Sequence, residues 1–407
     1  MQNPNLKNRA ATFRRKDDSQ IDWRIIFVVL ALMAVGFGAL FLALRADSSV
    51  SITHSMLIQC LWWLFGWGIA ILLMHLDADQ LFRFAPLAYA LGIALLVFVL
   101  FAYSRSLAAS TNAKSWLAIG SLTFQPSEVM KPALILMLSR IVYTHNQSYA
   151  VHTVSSDFLL IAKMIALTLP VIILMQLQHD FGSTLVFVAI FGGIFLVSGI
   201  LNRILVPITA TVSTIAALAI FAVTTTTGRT ILTNLGFQAY QFARVDDWLN
   251  PGGAASSQSG FQLFQSIKAI GSGRIFGNGV NNISVYVPVR ESDMIFSVIG
   301  EGLGFVGGFV VILLYFLLIY SLIRRVFDTK NSFYAYVVSG VVLMVLFHVF
   351  ENIGMSIGLV PLTGIPLPFI SQGGSALLAN MIGIGLTLSM QYHNFTSEFA
   401  KKETSFK

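Results

Sequence analysis

Runs of apolar residues about as long as a bilayer is thick recur ten times along this chain. They are Ile25 to Leu44, Met56 to Met74, Phe84 to Tyr103, Val129 to Tyr143, Phe158 to Leu177, Ser183 to Ile200, Ile204 to Val223, Leu303 to Ile323, Ala335 to Ile353 and Ser375 to Tyr392. A water-soluble core cannot absorb so much apolar surface. Of 407 residues, 56% are hydrophobic and 11% charged, and the mean hydropathy is +0.77. The spacing predicts an all-α integral membrane protein of about ten transmembrane helices, because a helix bonds its own backbone where no water is available. The fourth run is short and holds Lys131 and Pro132, and only QHDFG separates the fifth from the sixth. Either pair could instead form a re-entrant or broken element. No internal repeat is visible at a fixed period.

Lys and Arg set the expected orientation. Lys7, Arg9, Arg14, Arg15, Lys16 and Arg24 precede the first run, Arg324, Arg325 and Lys330 follow the eighth, and Lys401, Lys402 and Lys407 follow the tenth. With ten spans these groups share one side, and both termini are expected in the cytoplasm. The opposite short loops hold Arg45, Arg105 and Lys114, and the last of them, Gly354 to Gly374, holds no Lys or Arg. This pattern accounts for the net charge of +7 without nucleic acid as a partner. The first run is about 20 residues long with no small-residue cleavage pattern, so it reads as an anchor rather than a signal peptide. The lone Cys60 allows no intramolecular disulfide.

The chain therefore divides into a cytoplasmic tail (1–24), a polytopic domain (25–392) and a second cytoplasmic tail (393–407), with a large external loop (224–292) between the seventh and eighth helices. A structureless connection that long is uncommon unless functional. Within it, FQAYQFARVDDWLNPGG and GFQLFQSIKAIGSG read as two short amphipathic helices whose aromatics suit an interfacial position.

Acidic groups at membrane depth are costly, so each is a functional candidate with a structural alternative. Glu128 stands three residues before Lys131, a spacing that allows a buried ion pair as readily as a substrate contact. Asp180, at a helix junction, can cap the following helix, and His179 beside it lacks the companions of a metal ligand. Glu301, between glycines, reads as mainly structural. Glu351 sits at an external helix end. Asp293, after Ser292, is either a first-turn residue meeting the helix dipole or a working carboxylate. There is no P-loop, dinucleotide fingerprint, Gly-x-Ser-x-Gly or zinc spacing, which argues against nucleotide hydrolysis.

Six ordered segments resemble the SEDS family (shape, elongation, division and sporulation), and within it the RodA branch, over about Ile25 to Tyr392. They are KSWLAIGSLTFQPSEVMKPAL (Lys114 to Leu134), QHDFGST (Gln178 to Thr184), YQFARVDDWLNP (Tyr240 to Pro251), FQLFQSIKAIGSG (Phe261 to Gly273), VPVRESDMIFSVIGEGLG (Val287 to Gly304) and NIGMSIGLVPLTGIPLPFISQGGSALL (Asn352 to Leu378). The chain departs from the family at His179, Val289, Gly302 and Gln372, none of them a mapped acid.

The resemblance implies a peptidoglycan glycosyltransferase that polymerises lipid II, the undecaprenyl-diphosphate-linked disaccharide peptide, on the outer face of the bacterial cytoplasmic membrane. It implies a class B penicillin-binding protein as crosslinking partner, and it maps the family's essential carboxylate onto Asp293 and its other site residues onto Glu128, Lys131 and Asp180. A carboxylate at the lipid–water boundary suits a general base that takes the proton of the attacking sugar hydroxyl. The departing diphosphate wants positive charge. Lys114, Lys131, Arg244 and Arg290 are the candidates, Arg244 first, its alternative being to anchor the loop to anionic lipid. No metal site or cofactor is implied by a motif, and a divalent cation at the diphosphate stays compatible with the sequence. Two other readings share these features: a flippase for lipid-linked precursors, and a scaffold for other wall enzymes.

Overall fold

A peptide group in hydrocarbon must find its partner within the protein. The computed structural model, which describes residues 21–46, 51–111, 113–120, 122–234, 242–253, 257–329 and 331–405, meets that demand with a helix over each of the ten apolar runs. In chain order the helices are α1 (Trp23–Arg45), α2 (Ile52–Met74), α3 (Ala78–Ala102), a short α4 (Arg105–Thr111), α5 (Pro126–Ser148), α6 (Val154–Leu177), α7 (Phe181–Val197) and α8 (Asn202–Thr224). Three short helices follow, α9 (Thr226–Asn234), α10 (Ala243–Leu249) and α11 (Gln258–Ser272), and then α12 (Ile295–Asp328), α13 (Ser332–Ser356) and α14 (Gly374–Ser405). Seven of these are long and apolar enough to cross a membrane by length and composition, and α5, α7 and α14 complete the ten.

Polar residues in the connections start the helices. Asp22 accepts from Arg24 N and Ile25 N ahead of α1. Asp77 with Gln80, and Thr153 with Ser156, form reciprocal capping boxes ahead of α3 and α6. Within the bundle α14 packs on α2, α3 on α5, α13 on α7, and α12 on α1 and α13. Small residues permit the close crossings: a Cβ on Gly385 would lie 2.8 Å from the Cα of Ala70. Of the seven long apolar helices, α13 is the most enclosed and α8 the most peripheral.

Three features depart from the sequence expectation. The eighth helix begins at Ile295 rather than Leu303, and it is broken at Gly304 (φ 67, ψ −161). The loop after α11 fills the break. Asn278 N and Gly279 N donate to the carbonyls of Glu301 and Gly302, while Phe305 N and Val306 N donate to those of Arg274 and Ile275. No side chain fits at 304, since its Cβ would come within 2.3 Å of Gly277 N.

The second departure is Gly354 to Gly374, expected as an external loop. Its second half dives into the bundle, with Ile365, Leu367, Phe369, Ile370 and Ser371 all buried. It reaches the level of Gly36, midway along α1, where an added Cβ would lie 2.7 Å from Ile370 Cα. Non-helical backbone survives at such depth only inside protein, and here partners within the loop and on α12 bond it: Leu367 N to Ser371 Oγ (2.8 Å), Ser371 N to Leu367 O (3.0 Å), and Tyr315 Oη to Pro368 O. Phe369 is held at φ +66, which an aromatic residue adopts only under tight constraint.

Thirdly, a small antiparallel hairpin, β1 (Leu117–Ile119) and β2 (Leu122–Phe124), precedes α5, with Leu117 opposite Phe124. In the large external loop, α10 and α11 stand where two amphipathic helices were expected, although Phe237 and Tyr240 lie outside the described residues. Trp248 is tied to the protein rather than left to the interface, its indole N–H donating to Gly358 O at 2.8 Å.

Candidate active site

The segment entering α12 turns sharply at Val289 (φ +54), where Ser292 N and Met294 N both bond the Val289 carbonyl. Beyond that turn three consecutive carbonyls are each held by a donor from α13 or the re-entrant loop. Glu291 O accepts from Gln372 N (2.9 Å), Ser292 O from Ser371 Oγ (2.7 Å) and Asp293 O from Asn352 Nδ2 (2.7 Å). Asn352 also donates to Ile365 O at 2.7 Å, which couples the loop to the same point. The Asp293 backbone is thereby fixed.

Its carboxylate lies over Gly364, whose φ is +75 and whose notional Cβ would stand 3.3 Å from Oδ2. The side chain keeps a partial opening to the surface. Surrounding protein nevertheless strips away most of its hydration and pushes the carboxyl up to about 7; a hydrogen bond from Ser292 opposes the shift and the neighbouring Glu291 charge adds to it.

Arg290 is 4% exposed, and its Nη2 finds no hydrogen-bond partner among the described residues. A buried guanidinium nitrogen left open is a ready anion contact. Arg244 lies on α10, and its side chain is outside the described residues. Lys114 is exposed at the same end of the bundle, its backbone N–H bonded to Gln178 O (2.8 Å) and its Nζ 5.6 Å from the ring centre of Tyr103.

The remaining acids are engaged. Asp180 caps α7 by accepting from Ser183 N (2.9 Å) and Ser183 Oγ (2.9 Å), and it also receives Gln125 Nε2 at 2.8 Å. Glu128 pairs with Lys131 at 2.7 Å inside the bundle. The same Nζ lies 3.0 Å from His348 Nε2, while His348 Nδ1 donates to Met344 O, so the ring presents its lone pair to the lysine. Glu301 accepts the backbone N–H groups of Ser284 (2.8 Å) and Val285 (3.0 Å), a structural role as its sequence suggests. Glu351 is buried and hydrogen-bonded with Thr363. Among the described residues no group of three His, Cys, Asp or Glu side chains could hold a metal ion. Sequence reasoning passed over Asn352, Ser371 and His348, which lay in view within or beside the segment opening at Asn352.

A family model named for FtsW, RodA and SpoVE, described as a cell cycle protein, matches residues 22–396. This chain belongs to that family. Two of its relatives are similar over most of their length. A probable peptidoglycan glycosyltransferase FtsW from Thiomicrospira cyclica is 30% identical over 93% of each chain. The peptidoglycan glycosyltransferase MrdB of Escherichia coli is 29% identical over 96% of this chain and 97% of its own. Among solved structures, the rod shape determining protein RodA of Thermus thermophilus matches with a TM-score of 0.63 and 27% identity over 92% of this chain and 97% of its own. A chain from a structure described as the coordination of polymerization and crosslinking by a peptidoglycan synthase complex matches with a TM-score of 0.73 and 28% identity, over 92% of this chain and 98% of its own. Like its relatives in the FtsW/RodA/SpoVE family, the protein is an all-α, multi-pass membrane protein.

Proposed function

We propose that this protein is a peptidoglycan glycosyltransferase that joins lipid II units into glycan strands, with Asp293 as the general base. The observation that carries the reading is the Asp293 carboxylate, partly open to the surface, clamped through three successive carbonyls, and shifted to about 7. A base with that pKa is half ionised near neutral pH and still takes a proton readily. In the reaction the acceptor sugar's hydroxyl gives its proton to Asp293 as its oxygen bonds to the donor's anomeric carbon. The bond from that carbon to the undecaprenyl diphosphate breaks, and the electron pair leaves with the diphosphate. Arg290, whose buried Nη2 has no partner among the described residues, and Arg244 on α10 are the cations proposed to meet that charge, with the exposed Lys114. Glu128 and Lys131, buried as an ion pair, and the half-buried Asp180 at the start of α7 are the further residues assigned to substrate.

In this reading the site faces the outside of the bacterial cytoplasmic membrane, both termini are cytoplasmic, and a class B penicillin-binding protein crosslinks the product. The last assignment is supported by the coupled polymerisation and crosslinking of the synthase complex that this fold resembles. Gel analysis of lipid II polymerisation, with divalent metal chelated and then restored, tests the reading. Wild type should yield long glycan and Asp293→Ala none, at equal protein in the membrane, and retained polymerisation in the variant removes the catalytic assignment. The broken α12 also suits a flippase. Translocation of lipid II in vesicles at the wild-type rate by Asp293→Ala, with no polymer formed by wild type, would favour that alternative.

A further inference from the structure

Two adjacent residues near the end of α13 reach different points of the loop that follows, because successive side chains on a helix point about 100° apart. Asn352 Nδ2 donates to Ile365 O at 2.7 Å. Glu351 is hydrogen-bonded with Thr363. The two bonds hold the loop on either side of Gly364, and Gly364 is the surface over which the Asp293 carboxylate lies. Its φ is +75, and a Cβ built on it would stand 3.3 Å from Oδ2. Thr363 is steadied from two further directions. Its hydroxyl lies 3.7 Å from Met355 Sδ, and its carbonyl oxygen would be 2.9 Å from a Cβ on Gly182, in the first turn of α7.

Packing alone does not call for an acid at this position. Glu351 is 5% exposed, and a carboxyl withdrawn from water is costly unless it is bonded. An apolar side chain, such as the buried Ile353 two places on, carries no such cost. The bond that Glu351 makes leaves its own helix and ends on the loop, so what the acid secures is where the loop stands. With Asn352 holding the Asp293 carbonyl at 2.7 Å, the end of α13 reaches Asp293 twice, once at its backbone and once at the wall beside its carboxylate.

We propose that Glu351 is a positioning residue for Asp293, fixing through Thr363 the Gly364 surface against which the Asp293 carboxylate is held. The inference rests on the reading of Asp293 as the base. A carboxylate whose wall is loosened regains water, so the pH dependence of the reaction reports on the contact along with its rate. Lipid II polymerisation by the full chain, measured against pH and against lipid II concentration, tests it. Thr363→Val, equal in size but without the hydroxyl, and Glu351→Leu, without the carboxyl, should each lower kcat about 10-fold, the worth of one buried hydrogen bond, with KM little changed. In both, the midpoint of the pH–rate profile should fall below that of wild type, while Glu291, the neighbouring charge that acts on Asp293, is left in place. Glu351→Leu/Thr363→Val should be no slower than the slower single variant, because one and the same bond is lost. Glu351→Gln, which keeps a partner for Thr363, should restore most of the rate. Wild-type kinetics in both single variants would overturn the inference, and so would a loss of rate that follows the melting temperature with the midpoint unmoved. Polymerisation retained by Asp293→Asn would instead remove the base itself, and this inference with it.

Discussion

At the scale of single residues, the proposed role of Asp293 as a base and its effect on stability depend on pH with opposite signs. Its carboxyl ordinarily titrates near 3.8 and is pushed up to about 7 in the folded protein. The native state therefore binds this proton more tightly than the unfolded chain does. The stability it contributes is complete below the ordinary carboxylate range and is lost as pH rises through about 7. A general base works in the other direction, and polymerisation should climb over the same interval. Asn mimics the protonated acid. Asp293→Asn should consequently raise the melting temperature at pH 8 while changing it little at pH 4, and should lower the polymerisation rate about 10²- to 10⁴-fold. Thermal scans at the two pH values, with a rate measurement at pH 8, check both halves. Asn352 supplies a second expectation. Asn352→Ala takes the donor from the Asp293 and Ile365 carbonyls, at a cost of about 1–3 kcal/mol for each buried group left unmade. Because the side chain works through Asp293, the loss should fall on kcat more than on KM and shift the pH–rate profile, where general destabilisation would leave the profile in place.

At the scale of elements, the re-entrant loop after α13 closes on Asp293 while the loop after α11 fills the break in α12, and both rest on glycines in close contact. Gly36→Ala drives a methyl group into the Ile370 backbone at 2.7 Å. Overpacking of this kind costs about 1–3 kcal/mol. The melting temperature in detergent should fall, and polymerisation with it, since Ser371 on the displaced loop would release the Ser292 carbonyl. Wild-type melting in that variant would mean the loop does not reach this depth. The α5–α13 contact calls for a cycle of variants. Glu128→Gln alone leaves the Lys131 ammonium buried beside His348, and Lys131→Met alone strands the carboxylate; each should cost about 3–5 kcal/mol, and the double variant should recover most of it. Melting curves of the four proteins read the coupling directly. Elements of this type escape a sequence reading for a physical reason. An apolar window detects a helix that satisfies its own backbone, whereas the segment from Ile365 to Ser371 is satisfied by Tyr315, Asn352 and a serine four residues away, partners that no local pattern announces.

At the scale of the whole molecule, the ten spans were legible because a bilayer sets their length and composition, and the acids were legible because ionisable groups there are rare. Which acids work was not legible. Asp180 and Glu128 look as functional in sequence as Asp293, and the structure separates the three by their bonds: Asp180 caps a helix, Glu128 pairs with Lys131, and Asp293 is half-buried with its carbonyl held by Asn352. Orientation is a property of the whole molecule: with ten spans Asp293 lies on the side opposite both termini, and the proposed reading, resting on the Lys and Arg count, has the termini in the cytoplasm. The single native cysteine makes this measurable. In a Cys60→Ser background, Gln258→Cys on α11 and Asn202→Cys at the start of α8 place exposed thiols at opposite ends of the bundle. A membrane-impermeant maleimide applied to intact spheroplasts should label residue 258 at once and residue 202 only after lysis. The reverse order would put Asp293 on the cytoplasmic face, where its carboxylate could not meet sugars that project from the outer leaflet, and the assignment of a wall polymerase to this site would fail with it.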